Sequence, residues 1–219
     1  MGWTLVDETR GHLLRFEEVC AAAPSAARLA AQDLFGLYAE AVTEWAADPF
    51  AVVLEHVGLT AADRKRFPFD HAATRPYRDA APVLRALHGT AKLGILANQG
   101  AGLEERLRGW GLRSYVDLVF ESTAAGVQKP DPAFFAMAAG AAGCAPGEIV
   151  MVGDRLDNDI APAKRAGWQS VWVRRGLHDS TEPRTPDEHA DATVANLEQF
   201  ALRYIPADRL LPPGSGGAG

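Results

Sequence analysis

Short apolar segments alternate with segments of helical composition through the second half of the chain. The strand-like segments are residues 92–97, 116–121, 149–153 and 170–173. The segments between these predicted strands have helical composition, at residues 102–110, 132–142 and 159–166. Strands and helices that alternate in this order form a parallel sheet with helices on both faces. The sequence therefore predicts an α/β fold with a doubly wound, Rossmann-like parallel sheet.

The first third of the chain has a helical pattern instead. Apolar residues recur there at three- and four-residue spacing, on one helix face: Leu34, Leu37, Tyr38, Ala41, Val42 and Trp45. We therefore predict a helical domain at residues 9–74, inserted into an α/β core formed by residues 1–8 and 75–205. Residues 206–219 are rich in Pro, Gly, Ser and Ala, cannot bury a core, and are predicted to be a disordered tail.

The strand ends are the places to search for a site, because ligands bind at the carboxyl ends of the strands in a doubly wound sheet. Asn98 and Gln99 follow the first predicted strand, and Lys129 comes after the second. Asp154 and Asp159 follow the third. An amide, a lysine and an acidic cluster that converge at one edge can neutralise a metal-bound anion.

Composition restricts the partners and the compartment. The formal net charge of −6 disfavours nucleic acid as a partner, since phosphate binding requires a basic surface. The two cysteines, Cys20 and Cys144, lack metal-ligand spacing and indicate free thiols in a reducing compartment. Neither a membrane-spanning apolar run nor a signal peptide is evident, so we expect no membrane association and a cytoplasmic location.

Four segments resemble, in order and spacing, the four motifs of the haloacid dehalogenase (HAD)-like hydrolase superfamily. Residues 2–7 (GWTLVD) resemble the end of the first motif and residues 93–98 (LGILAN) the second. Residues 127–132 (VQKPDP) resemble the third, and residues 150–159 (VMVGDRLDND) the fourth. Together the segments span nearly the whole chain. The resemblance implies that the helical insertion is a subclass I cap that closes over the site.

The resemblance also implies a reaction. In this family an aspartate attacks phosphorus, and water hydrolyses the resulting aspartyl-phosphate. Asp154, Asp159 and Gly2 would belong to a Mg²⁺ site, and Lys129 would neutralise charge in the transition state. The phosphate would be bound by Asn98, Gln99 and Lys129. The catalytic residues would be Lys129, Asp154 and Asp159. The expected substrate is a small phosphorylated metabolite, and the expected state is a monomer or homodimer.

The first motif departs from the family pattern, Asp-x-Asp-Gly-Thr-Leu. Aligning Thr4 and Leu5 puts Gly2 at the position of the general acid, and the nucleophilic Asp one residue before Met1. The strand that would carry this Asp is also expected to be missing. Ala97 stands where the family usually has a hydroxyl group. Either a valine codon has been read as the start, or the chain is a pseudoenzyme, and both explanations stay open here.

Each residue also has a simpler interpretation. Asp154 and Asp159 are suited to capping a helix, and Asn98-Gln99-Gly100 is suited to a turn. Two other functions therefore remain alternatives to a phosphohydrolase. One is a non-catalytic binding protein, and the other is a metal-independent dehalogenase-type hydrolase, with which Gly2 would be compatible.

Overall fold

The computed structural model describes residues 1–26 and 28–206, so residues 207–219 of the predicted tail lie outside it. The strands are β1 (Val6–Asp7), β2 (Arg75–Pro76), β3 (Gly94–Ala97), β4 (Leu118–Glu121), β5 (Val150–Gly153), β6 (Gln169–Val173) and β7 (Ala192–Val194). The helices are α1 (Thr9–Ala22), α2 (Ala31–Thr43), α3 (Pro49–His56), α4 (Ala80–Leu87), α5 (Leu103–Gly109), α6 (Ser122–Ala125), α7 (Pro132–Ala142), α8 (Ala161–Arg165) and α9 (Leu197–Tyr204).

Parallel strands form the centre of the fold, as predicted. β3 pairs with β4, and β5, β6 and β7 pair in that order, all in parallel. Alternate residues of β3 point to opposite faces, as the pleat of a strand requires. Ile95 and Ala97 join an apolar cluster with α4, α5 and α9, whereas Leu96 packs against a cluster that includes Phe135 of α7. Helices therefore cover both faces, and the predicted α/β class is confirmed.

A slot separates the two groups of parallel strands. Among the described residues, β4 is the one strand that pairs with β3, and β6 is the one strand that pairs with β5. The other edge of β3 and the other edge of β5 are therefore unpaired. A cavity of about 590 Å³ lies between β3 and β5, lined by both strands and by apolar side chains of α4, α7 and α9. Met1 lines one part of this slot. Val150 on β5 remains 46% exposed, so the edge is apolar as well as unpaired.

The helical insertion has an apolar cluster of its own. Phe16 of α1, Leu34 of α2, and Phe50 and Leu54 of α3 are its buried centre. The chain enters the insertion after β1 and returns through β2, and these two strands form an antiparallel pair. Because the insertion is closed by this pair and has a separate core, we propose that residues 9–74 form one cap unit.

The structure differs from the sequence-based expectations at several boundaries. The helix predicted to begin at residue 159 begins at Ala161, because one π-helical turn (Leu156–Ile160) precedes it. β7 and α9 follow the predicted strands and were not anticipated. Cys20 and Cys144 are free thiols. Among the described residues, none of the helices combines the length and apolar character that crossing a bilayer requires.

Candidate functional site

A polar pocket of about 540 Å³ lies where the strand ends meet the helical insertion. The first residues of the chain, the loops after β3 and β5, and side chains of α1 and α2 line it. All six residues predicted for the site line this pocket: Gly2, Asn98, Gln99, Lys129, Asp154 and Asp159. The parallel arrangement brings them together from positions up to 157 residues apart in the chain, since Gly2 and Asp159 are among them.

Asp154 and Asp159 are buried carboxylates with different partners. Oδ1 of Asp154 accepts a hydrogen bond of 2.6 Å from the Thr4 hydroxyl. Oδ1 of Asp159 lies 2.5 Å from Nζ of Lys129, which donates to it. Oδ2 of Asp159 accepts from the backbone N–H of Arg155. Asp159 is therefore the carboxylate that pairs with the buried Lys129 ammonium, whereas Asp154 is hydrogen-bonded by Thr4.

Gly153 allows this packing because it has no side chain. A Cβ atom on Gly153 would lie 2.6 Å from Oδ2 and 2.7 Å from Cγ of Asp159, closer than real Cβ atoms approach other atoms. The glycine that ends β5 is thus a requirement for the position of the Asp159 carboxylate. A larger residue before Asp154 would displace the Asp159 carboxylate.

The Lys129 ammonium separates the pKa values of the two buried carboxylates. Burial, reinforced by the Asp159 carboxylate, raises the pKa of Asp154 above its usual range. Burial alone would also raise the pKa of Asp159, but the Lys129 ammonium outweighs it and the pKa falls to about 2. Asp159 is thus ionised and paired with Lys129, whereas Asp154 is the carboxylate that a further cation would stabilise.

This donor set is suited to a divalent cation, although it is incomplete. Within residues 1–26 and 28–206, no cluster of three or more His, Cys, Asp or Glu side chains has the arrangement of a metal site. The raised pKa of Asp154 beside a second carboxylate nevertheless fits a hard cation such as Mg²⁺, which prefers carboxylate and carbonyl oxygens. That Asp154, Asp159 and Gly2 hold such an ion stays a prediction.

Asn98 and Gln99 lie at the site, but their side chains have partners within the protein. The Asn98 amide donates to the Lys129 carbonyl and accepts from the Lys129 N–H, at 2.7 and 2.8 Å. The Gln99 side chain accepts from Arg106. Asn98 therefore orients the loop that carries Lys129, and contact of either side chain with phosphate stays a prediction.

The cap side of the pocket contains residues that the motifs did not identify. Glu8, His12 and Arg15 line the pocket from the segment that opens α1. Their spacing of four and then three residues places them on one helical face, which is the signal that would have revealed them. Burial raises the pKa of Glu8 to about 7, against the opposing influence of the Met1 amine. Burial, helped by Arg15, lowers the pKa of His12 to about 4.

Arg175 was also missed, and it holds the first residues of the chain against the core. Its guanidinium donates to the carbonyl groups of Trp3 and Thr4. It also forms a half-buried ion pair with Asp79, with a nitrogen–oxygen distance of 2.9 Å. The Asp79 carboxylate in turn accepts a hydrogen bond from the backbone N–H of Leu197. No local motif marks Arg175, because its partners lie near the other end of the sequence.

Comparison with known proteins gives a consistent set of relatives. A protein-family profile described as HAD-hydrolase-like matches residues 127–200. Glyceraldehyde 3-phosphate phosphatase of Methanopyrus kandleri is 39% identical over 125 residues, which are 56% of this chain and 54% of that protein. Phosphoserine phosphatase of Thermus thermophilus is 37% identical over 142 residues, which are 64% of this chain and 53% of that protein. The chain thus spans about half the length of the curated relatives it matches.

The fold has solved counterparts as well. The crystal structure of a HAD phosphatase from Thermococcus onnurineus superimposes with a TM-score of 0.64 and 23% sequence identity. The superposition covers 93% of this chain and 94% of that one. At this level of identity the likeness concerns the fold alone.

Proposed function

We propose that this chain is a Mg²⁺-dependent phosphohydrolase of the haloacid dehalogenase-like hydrolase superfamily. The observation that carries the proposal is the buried trio of Asp154, Asp159 and Lys129 at the strand ends, open to a pocket of about 540 Å³. The substrate is a small phosphorylated metabolite. The matched relatives named as phosphatases of glyceraldehyde 3-phosphate and of phosphoserine support this substrate class.

In this proposal each residue of the trio has a distinct task. Lys129 neutralises the phosphoryl group and the attacking carboxylate as they approach each other. Asp159 holds the Lys129 ammonium at 2.5 Å and keeps it from moving toward solvent. Asp154, oriented by Thr4 and by the Trp172 indole at its backbone carbonyl, would hold the cation. A bound Mg²⁺ supplies charge stabilisation and orients the phosphoryl oxygens.

The attacking carboxylate, in this proposal, belongs to a residue that precedes Met1 and ends a strand. Met1 lines both the polar pocket and the apolar slot between β3 and β5, so a preceding segment would enter the slot directly. The unpaired edges of β3 and β5 offer backbone partners on both sides. An aspartate at the end of such a strand would face Lys129 and Asp154. The reaction is then attack on phosphorus, followed by hydrolysis of the aspartyl-phosphate.

A metal-independent dehalogenase fits the pocket less well. Without a metal ion, Asp154 and Asp159 would place two carboxylates beside an attacking carboxylate, and the Lys129 ammonium already pairs with Asp159. A requirement for Mg²⁺ therefore distinguishes the phosphohydrolase from this alternative. A cytoplasmic location and a monomeric or homodimeric state stay predictions.

The proposal is tested by adding a segment before Met1. The Asp-extended chain carries a short apolar strand and an aspartate before residue 1, together with Met1→Val. A matched Asn-extended chain carries asparagine instead. We expect the Asp-extended chain to hydrolyse p-nitrophenyl phosphate and acetyl phosphate with Mg²⁺. Three controls should not hydrolyse them: the Asn-extended chain, the 219-residue chain without extension, and the Asp154→Asn variant of the Asp-extended chain.

The contrary results are equally definite. An Asp-extended chain that folds and binds Mg²⁺ but turns over neither substrate would refute the phosphohydrolase and favour a non-catalytic binding protein. Hydrolysis by the chain without extension would show that the nucleophile has been assigned wrongly. Turnover of these phosphates without Mg²⁺ would contradict the proposed Mg²⁺ dependence.

A further inference from the structure

The carboxyl group of Glu8 occupies the space in front of Gly2, where the family resemblance implies a general acid. A Cβ atom on Gly2 would lie 2.6 Å from Oε2 of Glu8, and closer still to its Cδ and Oε1. Real Cβ atoms do not approach other atoms so closely. The Glu8 carboxyl therefore fills the volume that a side chain at residue 2 would take, and it does so from a position six residues further along the chain.

Local structure explains why Glu8, rather than its neighbour Asp7, reaches this position. Asp7 pairs with Arg75 in the β1–β2 ladder, and its Oδ1 accepts from the N–H of Thr9 at 2.8 Å. Its carboxylate is thus used to begin α1. Glu8 follows directly, and its carbonyl accepts the first helical hydrogen bond, from the N–H of His12. Of these two acids only Glu8 lines the polar pocket.

We infer that Glu8 supplies the general acid and base that Gly2 lacks, and is thus a catalytic residue of the phosphohydrolase. This inference rests on the proposed function. When the nucleophilic aspartate forms its bond to phosphorus, the phosphorus–oxygen bond to the leaving group breaks. The Glu8 carboxyl transfers its proton to that oxygen, so that an alcohol departs. The Glu8 carboxylate then takes a proton from the water as it attacks phosphorus. The bond between phosphorus and the aspartate oxygen breaks, which releases inorganic phosphate and the aspartate carboxylate.

The geometric basis is tested first, by stability and without any activity. Gly2→Ala should lower the melting temperature, because its methyl group collides with the Glu8 carboxyl. Gly2 has no positive φ angle, so this cost does not arise from backbone strain. In the Glu8→Ala variant, Gly2→Ala should lower the melting temperature only slightly. This double-mutant cycle isolates the contact between the two residues, and additive effects would contradict the geometry.

The chemical role is tested in the Asp-extended chain, with the phosphorylation step followed in single turnovers. Glu8→Gln should slow this step about 10²–10⁴-fold for an alkyl phosphate, whose leaving group needs a proton. The same variant should retain most of the rate for p-nitrophenyl phosphate, whose leaving group is stable as an anion. Gly2→Asp combined with Glu8→Ala should restore the alkyl rate, because the carboxyl returns to the same volume. Asp7→Asn is the matched control and should slow neither substrate selectively.

Each other result overturns the inference. Equal losses on both substrates would mean that Glu8 has a structural role, and no loss on either would mean that it is a bystander. If the chain without extension turns over and Glu8→Gln abolishes the reaction, Glu8 is the nucleophile instead. If the Asp-extended chain with Glu8 intact fails even on p-nitrophenyl phosphate, the proposed function itself fails, and this inference falls with it.

Discussion

Lys129 has a structural role as well as its proposed catalytic one. Its side chain is 5% exposed, and it pairs with an Asp159 side chain that is 3% exposed. Removing one partner of a buried ion pair leaves an uncompensated charge, which costs about 3–5 kcal/mol. We therefore predict that Lys129→Met lowers the free energy of unfolding by about this amount in urea titrations. Lys129→Met with Asp159→Asn should recover part of the loss, and a single variant as stable as the parent would contradict the pairing.

Mg²⁺ binding provides a second prediction at the scale of residues. Asp154 and Asp159 are present, so millimolar Mg²⁺ should raise the melting temperature of the 219-residue chain slightly, as expected for weak ligand binding to the folded state. Asp154→Asn should abolish this rise. Asp157→Asn is the matched control, because Asp157 lies in the same loop but pairs with Arg155. An undiminished rise in the Asp154→Asn variant would place the effect elsewhere.

The site residues that sequence reasoning reached are those that follow strands. The convergence of strand ends at one edge of a parallel sheet does not depend on the conformation of the loops that follow. It therefore made three residues predictable: Asp154, Asp159 and Lys129. The partners of Asn98 could not, because its hydrogen bonds to Lys129 depend on how two loops approach across 31 residues. The place of Glu8 depends on the path from β1 into α1, which no motif describes.

Helix α1 contributes a titratable group to the core of the cap. His12 is 6% exposed, and its ring lies 4.8 Å from that of Tyr38 and 4.9 Å from that of Phe69. Its pKa is lowered from 6.5 to about 4, so the unfolded chain takes up a proton at His12 between these pH values and the folded chain does not. Stability linked to His12 is therefore lost as pH falls from 6.5 toward 4.

Urea unfolding at pH 7 and pH 5 measures this effect. We predict that the parent loses about 2 kcal/mol more between these conditions than His12→Phe does. His56→Phe, at an exposed histidine on α3, should behave like the parent. Equal pH dependence of the parent and His12→Phe would mean that His12 is protonated in the folded state.

Elements with local capping signals were predicted most accurately. The structure has α7 at Pro132–Ala142, as predicted, where Asp131 caps the helix and Pro132 opens it. The start of α8 was displaced by the π-helical turn, in which Asn158 and Asp159 are buried. β7 has three residues, too few for an alternating pattern to be read.

The division of the parallel strands into two groups is a feature of the whole molecule. An added strand would bury apolar side chains in the slot of about 590 Å³ and pair with both free edges. Each fully buried apolar side chain contributes roughly 1.5–3 kcal/mol, before the entropy cost of ordering the segment. We predict a higher melting temperature for the Asn-extended chain than for the 219-residue chain. An extension of equal length with serines at the inward positions should give no such rise, and equal stability of the two extensions would contradict docking in the slot.

The central claim is that a carboxylate entering beside Met1 attacks phosphorus over the Asp154, Asp159 and Lys129 site. The most direct measurement is mass spectrometry of the Asp-extended chain, quenched in acid during turnover of p-nitrophenyl phosphate. We predict one phosphoryl group on the peptide that contains the added aspartate, at that residue, and none on the Asn-extended chain. A phosphoryl group on Glu8 or on any other residue, or turnover with no phosphorylated protein under conditions that preserve acyl phosphates, would contradict the account.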